Sequence, residues 1–177
     1  YLKANYNHEI IIGRLPDRVP VPDNTYGLAC LLDVIEHIDE DVATLRTAAR
    51  IIKPGGMLLV TVPACPWLWS RHDDVNEHKR RYTRMTLRAA LEAAGYCDVW
   101  ISYYNFWMLP GIAAVRMVQR LFGVDARSAP RRCDLLLTPA WANSILTGLM
   151  ASERWLLRCT RLPWGASLIA TARKPSA

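Results

Sequence analysis

Long apolar runs, closely spaced cysteines and a glycine-rich GxGxG motif are all missing from this 177-residue sequence. No stretch reaches the roughly 18 uninterrupted apolar residues that a membrane span needs, and the first residues lack the pattern of a signal peptide. The five cysteines include no CxxC pair, which argues against a zinc knuckle or a dithiol redox centre. We therefore expect a cytoplasmic protein with reduced and mostly buried thiols.

Positive charge is concentrated in the second half of the chain. Residues 1–104 carry 12 Lys and Arg against 13 acids, whereas residues 105–164 carry 8 against 3. Such asymmetry can attract phosphate, nucleic acid or an anionic membrane surface, although many basic faces are simply solvated. Because nucleic-acid binding would rest on charge alone, we expect no nucleic-acid partner.

Apolar segments of strand length are spread along the chain. The residues Glu9–Ile12 predict a short buried strand. In Tyr26–Leu32 the residues that would point to either face of a strand are apolar, as expected of a central strand covered on both faces. Further strands are predicted over Met57–Val62, Val99–Tyr104 and Ser167–Ala172. A strand, a helix and a strand in succession indicate a parallel crossover, so the fold class is α/β.

Two helices between these strands have recognisable ends. Asp39 is the predicted N-cap of the first helix, and Lys53–Gly56 is predicted to end it in a turn. Thr83 is the predicted N-cap of the second, with Gly95 just beyond its C-terminus.

A long insertion, residues 105–163, separates the last two strands within a single domain that spans residues 1–177. It contains two helical stretches, Gly111–Phe122 and about Ala140–Cys159, whose apolar faces are interleaved with arginines. The segment Asp125–Asp134 between them is the expected mobile loop. We expect the insertion to act as a substrate lid whose basic helices contact a membrane surface peripherally.

Four sequence blocks carry a family resemblance. LLDVIEHIDED (Leu31–Asp41) and IIKPGGMLLVTVPA (Ile51–Ala64) resemble two consecutive blocks of the class I S-adenosylmethionine-dependent methyltransferases. WLWSRHDDVNEHKRRYT (Trp67–Thr83) and PWGASLIATARK (Pro163–Lys174) resemble parts of a bacterial subgroup of that family. The resemblance implies a Rossmann-like methyltransferase with S-adenosyl-L-methionine as its cofactor.

The front of the family pattern has no counterpart in this sequence. Family members begin with a strand, a GxGxG turn that holds the cofactor and a second strand, and nothing here matches them. Glu9–Ile12 then corresponds to the family's third strand. The resemblance thus implies an N-terminally truncated sheet in the family order 4-5-7-6, with strand seven antiparallel and Glu9–Ile12 displaced or swapped. We expect the isolated chain to be inactive, and its exposed sheet edge to favour a homo-oligomer.

The candidate catalytic residues are His37 and Glu36, in the segment after the strand Tyr26–Leu32. On one helical turn, Asp33, Glu36 and His37 could point the same way. His37 could act as a general base, the three residues could bind a divalent cation with His72 or His78, or Glu36 and His37 could simply orient the loop. Orientation of the loop is the favoured interpretation, the general base comes second and the cation is the weakest; His37 and Glu36 are nevertheless the candidate catalytic residues, without a metal.

Further residues are predicted to bind the cofactor, from the resemblance, and the methyl acceptor, from their side-chain chemistry. Leu15 would help to enclose the adenine ring, and Leu32, Asp33 and Val34 would contact the methionine part of the cofactor. Aromatic rings beside guanidinium groups suit an anionic or sugar-bearing acceptor. The predicted acceptor contacts are Trp67, Trp69, His72, His78, Arg81 and Tyr82. Alternatively, the arginines of this loop only order it by pairing with its acids, Arg80 or Arg81 with Asp73, Asp74 or Glu77.

These observations predict methyl transfer to an oxygen of a small or lipid-linked acceptor. The alternative is a non-catalytic remnant that acts as a binding or oligomerising module.

Overall fold

A computed structural model describes residues 10–17, 19–121 and 139–176. Its four-stranded sheet has the order β1-β2-β4-β3. The strands are β1 (Tyr26–Leu32), β2 (Ile52–Pro63), β3 (Cys97–Tyr104) and β4 (Ser167–Arg173). β1 runs parallel to β2, and β4 runs antiparallel to both β2 and β3. This arrangement confirms the predicted order of these four strands and the Rossmann-like α/β class.

Five helices connect these strands in the described part of the chain. They are α1 (Asp41–Ile51), α2 (Arg71–Val75), α3 (Arg84–Ala93), α4 (Leu109–Leu121) and α5 (Ala140–Cys159). Short 3-10 turns occupy Ile35–His37 and Pro66–Leu68. Helices α4 and α5 confirm the two predicted stretches of the insertion, while the loop Asp125–Asp134 lies outside the described residues. None of the described helices is both long and apolar enough to cross a membrane.

The core lies between one face of the sheet and the helices α1 and α3. Alternate residues of β2 and β4 are fully buried there, as expected of strands with one covered face. The fully buried residues include Leu58, Val60 and Val62 of β2, Leu168 and Ala170 of β4, Leu45 of α1 and Leu87 of α3.

The prediction that β1 is covered on both faces is wrong for the described residues. Ala29 and Leu31 pack against the core, but Leu28 and Leu32 point to the opposite face and are 55% and 54% exposed. β1 is also the edge strand of the sheet. Its apolar outer face and edge therefore form an exposed surface in this structure.

The predicted N-cap residue is confirmed for one of the two helices, α3, and is wrong for the other, α1. The Thr83 hydroxyl accepts the Thr86 N–H at 3.1 Å, which confirms Thr83 as the cap of α3. The N-cap of α1 is Glu40 rather than Asp39, and it makes no side-chain capping bond. Instead the Asp41 carboxylate accepts the Val42 N–H at 2.8 Å.

Lys53–Gly56 is an irregular part of β2 rather than the predicted turn. β2 begins at Ile52, and its register with β1 shifts between Tyr26 and Leu28. Gly55 has a φ of +75°, which favours glycine, and a Cβ on Gly56 would lie 2.8 Å from the Gly27 carbonyl oxygen. The glycines therefore let the bulged chain continue as a strand.

The N-terminal strand predicted over Glu9–Ile12 is not formed in its described part. Residues 10–13 have no strand assignment, and Ile12 is 82% exposed; Glu9 lies outside the described residues. A strand requires hydrogen bonds from a neighbouring strand, and no described strand lies beyond β1.

Four of the five cysteines fall in the described residues, and all four are free thiols. Cys30 and Cys159 are exposed, whereas Cys65 and Cys97 are half-buried. The expected free thiols are thus found, but the prediction that most are buried is wrong for these four. Cys133 lies outside the described residues.

Candidate active site

The candidate site lies at the edge of the sheet where three strands end. β3 runs in the same direction as β2, because both are antiparallel to β4. Ser167 of β4 pairs with Pro63 at the end of β2 and with Tyr104 at the end of β3. The segments that follow β1, β2 and β3 therefore leave the sheet at one edge, where ligands bind in open α/β sheets.

A sharp bend after β1 positions the first of these segments. Asp33 has a φ of +52°, and its backbone N–H donates to the Thr61 hydroxyl at 3.0 Å. The 3-10 turn Ile35–His37 follows and buries the side chains of Ile35 and Glu36, while His37 stays exposed. Asp33 precedes this turn, so it does not share one helical turn with Glu36 and His37 as predicted.

Glu36 is a buried carboxylate without a hydrogen-bond partner among the described residues. Its exposed fraction is 0%, and both carboxylate oxygens lack a partner. Burial raises the pKa of Glu36 from 4.5 to about 7, its own backbone N–H opposes this, and the charge of Asp33 adds to it. This carboxyl group therefore exchanges its proton near neutral pH, as acid–base catalysts do.

Two histidine rings meet beside Glu36. The rings of His37 and His78 pack edge to face with centroids 4.8 Å apart. His37 Nε2 lies 3.9 Å from Glu36 Oε1. The Lys79 N–H donates to the Glu36 carbonyl oxygen at 2.7 Å, which ties the loop after α2 to the turn after β1.

The buried carboxylate of Asp73 organises the loop that carries His78. Its Oδ1 lies 2.9 Å from His78 Nδ1 and accepts the Arg81 Nε–H at 2.7 Å, and its Oδ2 accepts the Ser70 N–H at 2.9 Å. Burial raises the pKa of Asp73, but the hydrogen bonds from Arg81 and His78 outweigh it and hold the pKa below 3.8. Asp73 thus stays ionised and fixes the ring of His78.

Three predicted acceptor residues reach the surface of this loop. Trp67 and His72 are exposed, and Trp69 is half-buried. Trp69 donates its ring N–H to Asp74 at 3.0 Å, and His72 Nε2 lies 3.0 Å from the Asn76 side-chain nitrogen. Their role in acceptor binding stays a prediction.

The other predicted acceptor residues are held inside the protein. Arg81 is bound by Asp73 and also donates to the Ala64 carbonyl oxygen at 2.8 Å. Tyr82 is buried and donates its hydroxyl to Asp41 at 2.8 Å. Their bonds position the loop, and direct acceptor contact by them also stays a prediction.

The predicted cofactor contacts lie at two ends of β1. Leu32, Asp33 and Val34 lie at its carboxyl end, beside the site. Leu15 lines a cleft with Tyr26 at the amino end, and a seven-residue strand separates the ends by roughly 20 Å. The structure therefore does not bring Leu15 close to Leu32, Asp33 and Val34. The contact of Leu15 with adenine stays a prediction.

Tyr104 and Glu153 contribute to the site region without having been singled out from the sequence. Burial and then the charge of Asp33 raise the pKa of Tyr104, which places that phenol near the site carboxylates. The buried Glu153 of α5 accepts the N–H groups of Asn105 and Trp107 at 2.7 and 3.0 Å. No local pattern marks Tyr104 or Glu153, because the groups around them come from distant parts of the chain.

Comparisons with known proteins agree with this fold. Residues 5–99 match the family model described as a methyltransferase domain. A structure of an S-adenosylmethionine-dependent methyltransferase from Thermotoga maritima is similar over 89% of this chain and 60% of that chain, with 16% identity and a TM-score of 0.51. Phosphoethanolamine N-methyltransferase 2 of Haemonchus contortus, in complex with S-adenosyl-L-methionine, is similar over 88% and 34%, with 15% identity and a TM-score of 0.48.

No curated protein matches the chain. The chain spans 34% of the Haemonchus protein and 60% of the Thermotoga protein, which is less than two thirds of either.

Proposed function

Because this chain belongs to the methyltransferase domain family, we propose that it supplies the acceptor side of an enzyme that transfers a methyl group from S-adenosylmethionine to an oxygen. The observation that carries this proposal is the placement of Glu36, His37 and His78 where parallel strands end. In open α/β sheets the ligand lies at that edge, and Leu32, Asp33 and Val34 stand there to contact the cofactor.

The proposed reaction is an in-line displacement with proton removal. A lone pair of the acceptor oxygen forms a bond to the methyl carbon, the carbon–sulfur bond breaks, and its electrons neutralise the sulfonium. The acceptor proton passes to His37 Nε2, which lies 3.9 Å from the Glu36 carboxylate that stabilises the resulting charge. An oxygen acceptor fits this site because an alcohol, unlike a thioether, must lose a proton to become a stable methylated product.

A methyl-transfer assay on the full gene product, with any residues encoded in frame before Tyr1, tests this proposal. Radiolabelled S-adenosylmethionine is incubated with aqueous metabolites and with a lipid extract, and label in each phase is counted. We expect transfer that falls at least tenfold in His37→Asn and is unchanged in the control variant Met85→Ser. Absence of transfer to either phase would contradict the activity, and full activity of His37→Asn would contradict the base.

We also propose that the isolated 177-residue chain is inactive, because none of its described residues forms a glycine-rich cofactor turn. Calorimetry of the chain with S-adenosylmethionine is expected to give no micromolar binding. Micromolar binding would contradict this part of the proposal and leave the methyl-transfer assay unaffected. The free cysteines support a cytoplasmic location.

The insertion supports a lipid-linked acceptor rather than a purely aqueous one. Its helices expose large apolar side chains together with arginines, a composition that suits an anionic bilayer surface. The exposed residues include Trp107, Val115, Met117, Trp141 and Trp155, with Arg154 and Arg158 beside them. The buried Glu153 anchors α5 beside the end of β3, so this surface adjoins the site.

Vesicle sedimentation distinguishes the two acceptor classes. We expect the chain to bind vesicles of phosphatidylglycerol more strongly than vesicles of phosphatidylcholine. The double variant Trp141→Ser/Trp155→Ser is expected to lose most of this binding, and Met85→Ser, which removes an exposed apolar residue on α3, is expected to keep it. Equal binding by all three proteins would argue for a small aqueous acceptor.

The second candidate function is a non-catalytic module that oligomerises through β1. The exposed Leu28 and Leu32 on this edge strand favour it, because bare apolar edges pair with other chains. Light scattering of the isolated chain tests this idea, and a monomer at high concentration would contradict it.

A further inference from the structure

Three potential metal ligands converge from two separate segments of the chain. Glu36 and His37 belong to the turn after β1, and His78 belongs to the loop after α2. One ligand atom from each of them lies within 4.8 Å of the other two. The hydrogen bond from the Lys79 N–H to the Glu36 carbonyl oxygen holds the segments together.

The ring of His78 is oriented as metal-binding imidazoles usually are. Its Nδ1 faces the Asp73 carboxylate at 2.9 Å, which leaves Nε2 as the nitrogen that can bind an ion. Metal-ligating histidines typically bond through the other ring nitrogen to a carboxylate in this way. Asp73 is in turn fixed by Arg81 and the Ser70 N–H.

The burial of the Glu36 carboxylate without a hydrogen-bond partner is a second, independent observation that favours a metal site. This carboxylate is fully buried, and neither oxygen has a hydrogen-bond partner among the described residues. A buried charge without a partner is costly, and bound metal is one of the few ways to compensate it. The carboxylate lies beside the two histidines, 3.9 Å from His37 Nε2.

We propose that Glu36, His37 and His78 bind one divalent transition-metal ion of the Zn²⁺ type. Two imidazoles and one carboxylate favour such ions over Mg²⁺ or Ca²⁺, which prefer oxygen ligands alone. Ligand atoms around a tetrahedral ion with bonds of about 2.1 Å lie roughly 3.4 Å apart. Separations of up to 4.8 Å must therefore shorten by as much as about 1.4 Å. The 39% exposure of the His37 side chain permits its share of this movement.

The ion leaves at least one coordination position open, as catalytic zinc sites with three protein ligands do. Its binding does not depend on the methyl transfer proposed above, whereas a catalytic role for it rests on that function. A His37 nitrogen that binds an ion cannot also accept the acceptor's proton. A bound ion would instead lower the pKa of the acceptor hydroxyl, and the proton would pass to water rather than to His37.

Cobalt binding to the chelator-treated chain tests the site directly. Co²⁺ is titrated into the chain, and visible absorption reports its coordination; Zn²⁺ competition then gives the Zn²⁺ affinity. We expect one ion per chain, at least tenfold weaker binding in Glu36→Gln and His78→Asn, and unchanged binding in the control His72→Asn. Asp73→Asn is expected to weaken binding tenfold or more through the orientation of His78.

Two outcomes would overturn the proposal. One is equal Co²⁺ affinity in the original chain, Glu36→Gln and His78→Asn. The other is an intense near-ultraviolet thiolate band, which would assign the ion to a cysteine. Circular dichroism of each variant confirms that it is folded, and Glu36→Gln supplies a readout even if His78→Asn fails to fold. Because the titration contains neither cofactor nor acceptor, its failure would leave the methyl-transfer assay intact.

Discussion

Replacing Glu36 by Gln is expected to stabilise the metal-free chain at alkaline pH. Burial raises the pKa of Glu36 from 4.5 to about 7 in the folded state. Between these two values the folded chain holds a proton that the unfolded chain has released, so the free energy of unfolding falls as pH rises. Gln has nearly the same shape and cannot ionise, so the variant does not share this loss.

The size of the effect follows from the displacement of the pKa. At about 1.4 kcal/mol per pH unit, the full penalty is about 3.5 kcal/mol and is nearly complete at about pH 8. The variant should therefore gain about 2.5 kcal/mol over the original chain between pH 5 and pH 8. Comparing the two proteins at each pH cancels most of the titration of the other groups.

Urea unfolding followed by tryptophan fluorescence, in buffers with a chelator, measures this difference. Glu92→Gln is the matched control, because Glu92 is 55% exposed and pairs with Arg88 on the surface of α3; its effect should stay within about 1 kcal/mol at every pH. A difference between Glu36→Gln and the original chain that does not change with pH would refute the reasoning. Excess Zn²⁺ should reduce the difference, because an ion on Glu36 compensates the buried charge.

Two further substitutions test the loop and the sheet edge by urea unfolding. Asp73→Asn should cost about 3–5 kcal/mol, because it leaves the buried Arg81 without its charged partner; a cost below about 1 kcal/mol would contradict the buried pair. Gly165→Ala should cost about 1–3 kcal/mol or more, because the new Cβ would lie 2.2 Å from the Tyr104 carbonyl oxygen. Gly111→Ala in α4, where nothing lies within 4 Å, should instead change stability by less than about 1 kcal/mol.

The sheet was predictable because its signals are local. The bounds of β1 were predicted to the residue, and Thr83 was correctly identified as a helix cap from its own side chain. The order of the strands came from the family resemblance. The predicted strand at Glu9–Ile12 failed in its described part because a strand forms only when a neighbour supplies its hydrogen bonds. Periodicity within one segment cannot show whether that neighbour is present.

The candidate site was only partly predictable for the same reason, because the sequence shows neighbours along the chain but not contacts between segments. The sequence places Glu36 and His37 side by side, but their neighbour spacing does not predict that one is buried and the other exposed. The approach of His78 to His37 depends on Asp73, whose charge in a polar loop predicts a solvated residue rather than a buried one. An ion pair between Arg81 and Asp73 was one of the alternatives predicted from the sequence, and the folded loop contains it.

Burial of Asp73 and burial of Glu36 have opposite consequences, and together they define the site. Asp73 has Arg81 and the Ser70 N–H as partners, so its charge is stabilised and the loop is rigid. Glu36 has no hydrogen-bond partner among the described residues, so its charge is destabilised and its proton is exchangeable near neutral pH. A rigid imidazole beside an uncompensated carboxylate lowers stability unless a ligand arrives. The cluster therefore has the energetics of a site built to receive a positive charge, whether the acceptor's proton or a metal ion.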